Sequence, residues 1–329
     1  MESIHGGDGC GISFLELHCL RRTCSSKVAG MKWVIGFVSA TALWVGFGAE
    51  AQQARLAITG IAFVRFYDGD VAASDAFYSK TLGFEKVAGA DGIARYGVNS
   101  AQWIELEKLP AEAPAAKIAE VAFTTRNVRQ LEKYLVRHNV VVVGHDGKSG
   151  FSVRDPEGNL IGFVQQDAMK GKLKLSTRAT SHRVIHAGFM VHDRAPEDAF
   201  FKDLLGFHLY WQGGQKDGRV DYVSMQVPDG TDWLEYMLNA GPNPSLHQLG
   251  VMDHFSLGVP KMSDAVEALN RNGCEGPNCS KTQMGRDGKV QLNLYDPDLS
   301  RVEFMEFKPS GTICCSEILG RAPGEDEDR

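Results

Sequence analysis

The chain has 329 residues, enough for two ordinary domains, and its 43% hydrophobic and 23% charged residues are the balance of a soluble globular protein. A net charge of −6 leaves no basic stripe to hold nucleic acid, so that class of partner is excluded. The acidic end, GEDEDR, reads as solvated, and a disordered acidic tail is expected over 310–329.

Residues 1–30 carry no usable periodicity and read as an N-terminal extension; an over-extended start, with Met31 as the true initiator, is one account of them. Met31-Lys32 precedes WVIGFVSATALWVGF, 15 residues without a charge. As helix that run spans about 22 Å, short of the roughly 30 Å of a bilayer core. Ala49-Glu50-Ala51 follows, the small-x-small pattern cleaved by signal peptidase. A secretory signal over 31–51 is therefore expected, with a mature chain from near Gln52, a secreted or periplasmic location and no stable membrane span after cleavage. A short membrane anchor is the alternative. The cut discards Cys10, Cys19 and Cys24 and keeps Cys274, Cys279, Cys314 and Cys315. CEGPNC (274–279) suits a small disulfide loop or two free thiols equally, and its spacing is not that of a zinc site.

The mature chain repeats itself. Asp75–Phe84 (DAFYSKTLGF) and Asp198–Phe207 (DAFFKDLLGF) share six residues in ten. Each reads as a helix ending at Leu-Gly. Strand-like runs precede them (IAFVRF, HAGFMV), and further runs follow, ending in AQWIELEKL and TDWLEYML. The unit recurs within each half: AEVAFTTRNVRQLEKYLVRHN and DHFSLGVPKMSDAVEALNRNG are each a strand, a turn and an amphipathic helix. These two lead to the frames DPEGNLIGF (155–163) and DPDLSRVEF (296–304). Four strand–helix–strand–strand–strand units result. The expected domains are 52–167 and 183–309, joined by a linker at 168–182.

These helix ends, WIEL/WLEY strands and Asp-Pro frames resemble the vicinal oxygen chelate superfamily of glyoxalases, epimerases, extradiol dioxygenases and bleomycin-resistance proteins. The resemblance covers nearly all of the mature chain. It implies an α+β fold of four βαβββ modules in two cup-shaped mixed sheets. It also implies one divalent metal at the bottom of a cup, held from the first and fourth strands of each unit.

In the second half those positions are His186, Glu235, His254 and Glu303. His186 and His254 are 68 residues apart, as are Glu235 and Glu303. A duplicated unit with pseudo-twofold symmetry brings all four to its axis. Two imidazoles and two carboxylates can hold Zn, Ni, Fe(II), Mn or Co with positions left open. Glu306 falls on the opposite strand face from Glu303, and His182, His192, His208 and His247 break the repeat register. In the first half Glu105 matches Glu235, Glu120 falls at the His254 position and Gly162 at the Glu303 position, while Gly60 to Val64 offers no imidazole. The metal site of that half is expected to be degenerate.

His-Glu-His-Glu resembles the glyoxalase I and epimerase branch. This implies a lyase or isomerase in which a small substrate with adjacent oxygens chelates the metal, an enolate is stabilised, and Glu303 or Glu235 moves the proton. An extradiol-type dioxygenase using His186, His254 and Glu303 for Fe(II) is the alternative, and a non-catalytic small-molecule-binding or resistance protein is the third. A monomer or homodimer is expected.

Overall fold

A computed structural model describes residues 57–89, 92–112 and 116–324. The extension and secretory signal expected over 1–51 lie outside the described residues. Among the described residues no helix is long and apolar enough to cross a membrane.

The first unit comprises β1 (Ile58–Asp68), α1 (Val71–Ala76), β2 (Glu85–Val87), β3 (Ile93–Gly97) and β4 (Trp103–Lys108). The second comprises β5 (Ile118–Thr125), α2 (Val128–Arg137), β6 (Val142–Asp146), β7 (Gly150–Arg154) and β8 (Leu160–Gln165). The third has β9 (Val184–Met190), α3 (Arg194–Glu197), β10 (His208–Gly213), β11 (Tyr222–Gln226) and β12 (Trp233–Met237). An inserted α4 (Leu246–Met252) leads into the fourth: β13 (His254–Val259), α5 (Met262–Arg271), β14 (Thr282–Met284), β15 (Val290–Tyr295) and β16 (Arg301–Glu306). The architecture is the expected α+β arrangement of four βαβββ modules in two curled, mixed eight-stranded sheets. Their orders are β2-β3-β4-β1-β5-β8-β7-β6 and β10-β11-β12-β9-β13-β16-β15-β14.

The first strands of paired units meet antiparallel at the centre of each sheet, β1 with β5 and β9 with β13. Each is flanked by the parallel fourth strand of its own unit. Parallel pairing needs a long crossover, which the helix and the two intervening strands supply. Helix starts are set by side chains accepting from orphan N–H groups, Asp70 from Ala73 and Asn127 from Gln130. The two LGF helices depart from the plain helix read in the sequence. Their last turns widen to π-helix over Phe77–Thr81 and Asp198–Leu204, and Gly83 and Gly206 then reverse the chain at φ 73° and 80°.

The two Asp-Pro frames do the same local work. Asp155 Oδ1 accepts from the Asn159 N–H at 2.7 Å, and Asp296 Oδ1 accepts from the Ser300 N–H at 2.8 Å. Each aspartate closes a turn and launches a central strand. Seven residues on from the aspartate the strand delivers either Gly162 or Glu303 to the cup floor.

The main core runs between the two halves, with Phe66 packed on Phe255 and Phe123 edge-on to Phe207. The 168–182 connection lies along the first half, with Leu173 buried in the Phe63–Trp103 cluster and Thr180 donating to the Leu82 carbonyl. The expectation of a disordered tail does not hold over 310–324. Leu319 N–H donates to the Tyr210 carbonyl, Gln226 clasps the backbone of Arg321 from both sides, and Arg183 donates to the Gly324 carbonyl. That segment is stapled across β10 and β11 because it carries backbone groups that pair there; its acidic run begins only at Glu325. Cys274 is bonded to Cys279, and Cys314 to its neighbour Cys315.

Candidate metal centre

The four candidate ligands sit on the four central strands of the second sheet: Glu235 on β12, His186 on β9, His254 on β13 and Glu303 on β16. Strand register explains their convergence. Gly188 lies opposite both Glu235 and His254, and Ser256 lies opposite both His186 and Glu303. Glycine is required at 188 because a Cβ there would come within 2.2 Å of His254 Cε1. The imidazole of His254 occupies that space.

His186 Nε2 lies 3.0 Å from His254 Nε2 and 3.1 Å from Glu303 Oε2. His254 Nε2 is 3.4 Å from Glu235 Oε2 and 4.0 Å from Glu303 Oε2. Both imidazoles are fully buried. His186, His254 and Glu303 offer ligand atoms within 4.8 Å of one another; Glu235 stands outside that triangle, beside His254. His186 is stacked on Trp233, its partner across the β9–β12 pairing.

The donor set fits a divalent cation. His254 Nδ1 lies 2.8 Å from the Met252 carbonyl oxygen, which can only accept, so the ring proton is there and the Nε2 lone pair faces inward. Met252 owes its place to α4, whose start is fixed by a Ser245–Gln248 capping box. In a neutral pair, one proton at most, on His186 Nε2, then stands among three acceptors. Burial lowers the His254 pKa, as does the nearby Arg301 charge. Burial alone would raise the Glu303 carboxyl, but with the imidazoles protonated the hydrogen bond from His186 and the charges of His186, Arg301 and His254 outweigh it and hold it at about 2. The same contest lowers Glu235, where burial is outweighed by a hydrogen bond from His254, available only when that ring is protonated on both nitrogens, and by the imidazole charges. Carboxylates kept ionised in a buried place want a cation.

The site opens into a cavity of about 460 Å³. Tyr210, Trp211, Tyr222 and Trp233 give it aromatic walls, and Arg286, Asp287, Arg301, Glu235 and Glu303 supply its charge. Arg301 was not picked out in the sequence, although side-chain alternation puts it on the face of Glu303, two residues on. Glu306 faces away, as its position implies, and accepts from the Met262 N–H at the start of α5. Glu235 and Glu303 reach the cavity wall, while His186 and His254 lie fully buried behind it.

The first sheet repeats this frame with other residues. By register Phe63 stands at the His186 position, Glu105 at Glu235, Glu120 at His254, Gly162 at Glu303 and Arg65 at Gly188. Arg65 contacts the buried Glu105 at 2.7 Å and Glu120 at 3.1 Å, while Arg95 grips the other Glu105 oxygen at 2.6 Å. The Trp103 indole N–H also donates to Glu105, at 2.9 Å. A side chain on Gly162 would meet Glu120, with Cβ 2.5 Å from Oε1. The degenerate metal site expected here thus holds a guanidinium where the other cup has room for an ion. Arg65 lies one residue past the stretch inspected in the sequence.

Comparison with known proteins follows this geometry. The Glyoxalase/Bleomycin resistance protein/Dioxygenase superfamily model matches twice, over residues 60–163 and 183–304, and the chain belongs to that superfamily. No curated protein matches it in sequence. Among solved structures, a substrate complex of homoprotocatechuate 2,3-dioxygenase from Brevibacterium fuscum with 3,4-dihydroxyphenylacetate is similar at a TM-score of 0.56 and 18% identity, covering 76% of this chain and 81% of that one. The native enzyme of that name from Arthrobacter globiformis is similar at a TM-score of 0.57 and 17% identity, with coverage of 77% and 80%. At such identities the likeness is one of fold.

Proposed function

We propose that the second cup is a metal-dependent active site for a small molecule with two adjacent oxygens, and that it moves a proton through an enolate in a lyase or isomerase reaction. The observation that carries this reading is the division of the four groups into three and one. His186, His254 and Glu303 converge as ligands, while Glu235 stands beside them with its carboxylate on the cavity wall. When bound, the divalent ion (Zn, Ni, Fe(II), Mn or Co) supplies Lewis acidity toward chelated oxygens.

The chain's own residues do the rest. Glu235 is the base, taking the proton from carbon next to the carbonyl and returning it to the neighbouring carbon. It lies 3.4 Å from His254 Nε2, so it stays next to the oxygens that gain charge. Tyr210, Trp211, Tyr222 and Trp233 exclude water and favour a flat substrate, and Arg301 faces the developing negative charge. The test is exchange of solvent deuterium into α-hydroxy aldehydes and ketones by the metal-loaded mature chain. Glu235→Gln should lower exchange roughly 100-fold or more while keeping the metal; absence of exchange with metal bound would sink this reading.

A second reading, ring cleavage of catechols with Fe(II) and O₂, is favoured by the same triangle. His186, His254 and Glu303 form a two-His-one-carboxylate set. The fold likeness to homoprotocatechuate 2,3-dioxygenases adds support. Oxygen uptake on catechols that survives Glu235→Gln would select it. The secreted or periplasmic location belongs to either proposal, and N-terminal sequencing of the exported protein should find Gln52 first.

A further inference from the structure

Lys289, between β14 and β15, is fully buried, yet its Nζ has no hydrogen-bond partner. The Asp287 carboxylate stands at 3.7 Å, beyond hydrogen-bonding reach. The ammonium instead lies over two aromatic faces, 4.5 Å from the Trp233 ring centre and 4.9 Å from that of Tyr210. Those rings are stacked on each other at 5.0 Å, and Trp233 carries the stack on to His186 at 4.8 Å. Burial works against the charge on the amine, while the Asp287, Glu303 and Glu235 charges favour it. Cation–π contacts and one carboxylate at ion-pair distance without a hydrogen bond return only part of what burying an ammonium costs. A lysine kept there against stability has another use.

We infer that Lys289 tunes the metal centre electrostatically: a fixed positive charge behind Trp233 that makes the centre more electron-withdrawing. The inference rests on the metal-centre reading proposed above. The Glu303 ligand and the neighbouring Glu235 carboxylate together offset the charge of a divalent ion, which weakens it as a Lewis acid. A buried cation nearby restores the pull, because charges act strongly across a low-dielectric wall. Metal affinity falls as a consequence, and acidic chelating oxygens ionise more readily at the centre. Asp287, which lines the cavity beside Lys289, works in the opposite sense.

The two charges give a test by sign. Co(II) binding to the mature chain is measured by its visible absorption in wild type, Lys289→Met and Asp287→Asn. Lys289→Met should bind Co(II) ~3- to 10-fold more tightly, and Asp287→Asn more weakly by a similar factor. A merely structural role loosens the wall and weakens binding in both. Unchanged or weaker binding in Lys289→Met, or tighter binding in Asp287→Asn, overturns the inference alone. A wild type that takes up no Co(II) overturns the metal centre and, with it, this inference.

Discussion

The two cups share one frame and solve one electrostatic problem in two ways. Each brings at least two carboxylates to the floor of an eight-stranded sheet, where a bare charge is costly. In the first cup the cation is covalent: Arg65 and Arg95 close on Glu105, and Arg65 reaches Glu120. In the second, glycine at the Arg65 position admits the His254 ring, and imidazoles replace Phe63 and Glu120. A built-in guanidinium fixes the cup and offers no exchangeable position. A ligand set leaves one. Duplication kept the architecture and divided stability from chemistry.

The largest effect that tests this division is loss of the ion. His254→Ala should abolish stoichiometric metal and with it activity, whereas Glu120→Ala, at the matching position of the first cup, should leave metal content unchanged. Elemental analysis of both variants decides it; metal loss in Glu120→Ala would show that the first cup also binds. Next in size is Arg65→Met. It leaves Glu120 with only the Ser152 hydroxyl and Glu105 with Arg95 and Trp103. Breaking a buried pair from one side costs on the order of 3 kcal/mol. Denaturant unfolding should show that loss, with metal content intact.

How much of this was legible beforehand follows the same division. The fold was readable because the repeat recurs in helix ends and Asp-Pro turns, which are local chemistry. The quartet was readable because duplication put its members at equal spacing, and the structure brings all four into one cup. Arg65 was not legible because Gly60 to Val64 carry no imidazole, and an arginine one residue further on, which supplies the cation from the protein itself, does not resemble a metal ligand. Lys289 sits in RDGKV, a sequence that reads as a solvated hairpin; nothing local says that Trp233 and Tyr210 will cover it. The ordered course of 310–324 was invisible for a related reason, since it contributes mainly backbone groups, held by Tyr210, Trp211, Gln226 and Arg183, and leaves no side-chain pattern of its own.

Gly188→Ala sharpens the comparison from the other side. A methyl within 2.2 Å of the His254 ring forces that imidazole off its axis without removing any ligand. Divalent affinity should fall roughly 10-fold or more, about 1.4 kcal/mol, and thermal stability should fall as well, because His254 is fully buried and must be displaced. Unchanged affinity would mean that the glycine serves the backbone alone.

The narrowest effect, confined to part of the pH range, concerns the seams where each half receives the other's Asp-Pro frame. At one seam Asp296 accepts from the Tyr78 hydroxyl at 3.0 Å, so acceptor meets donor. At the other the counterpart helix presents Glu197, fully buried, which accepts from the Glu157 N–H at 3.0 Å and has Asp155 nearby. Burial raises the Glu197 carboxyl to about 8, and the neighbouring Asp155 charge adds to this. With an ordinary value of 4.5 in the unfolded chain, the folded state binds the extra proton between about pH 4.5 and 8. Stability is therefore full below pH 4.5 and declines as pH rises through that window. Glu197→Gln removes that contribution: it should change little at pH 4.5 and gain stability over wild type progressively as the pH rises to 8, while the slope from Asp155, raised by burial to about 6, stays in both. Tyr78→Phe, at the matched seam, should cost about 1 kcal/mol with no such dependence below pH 8 beyond that of Asp296, whose burial raises it to about 6. Equal pH slopes in wild type and Glu197→Gln would mean that the glutamate is ionised in the fold and that the two seams are electrostatically alike.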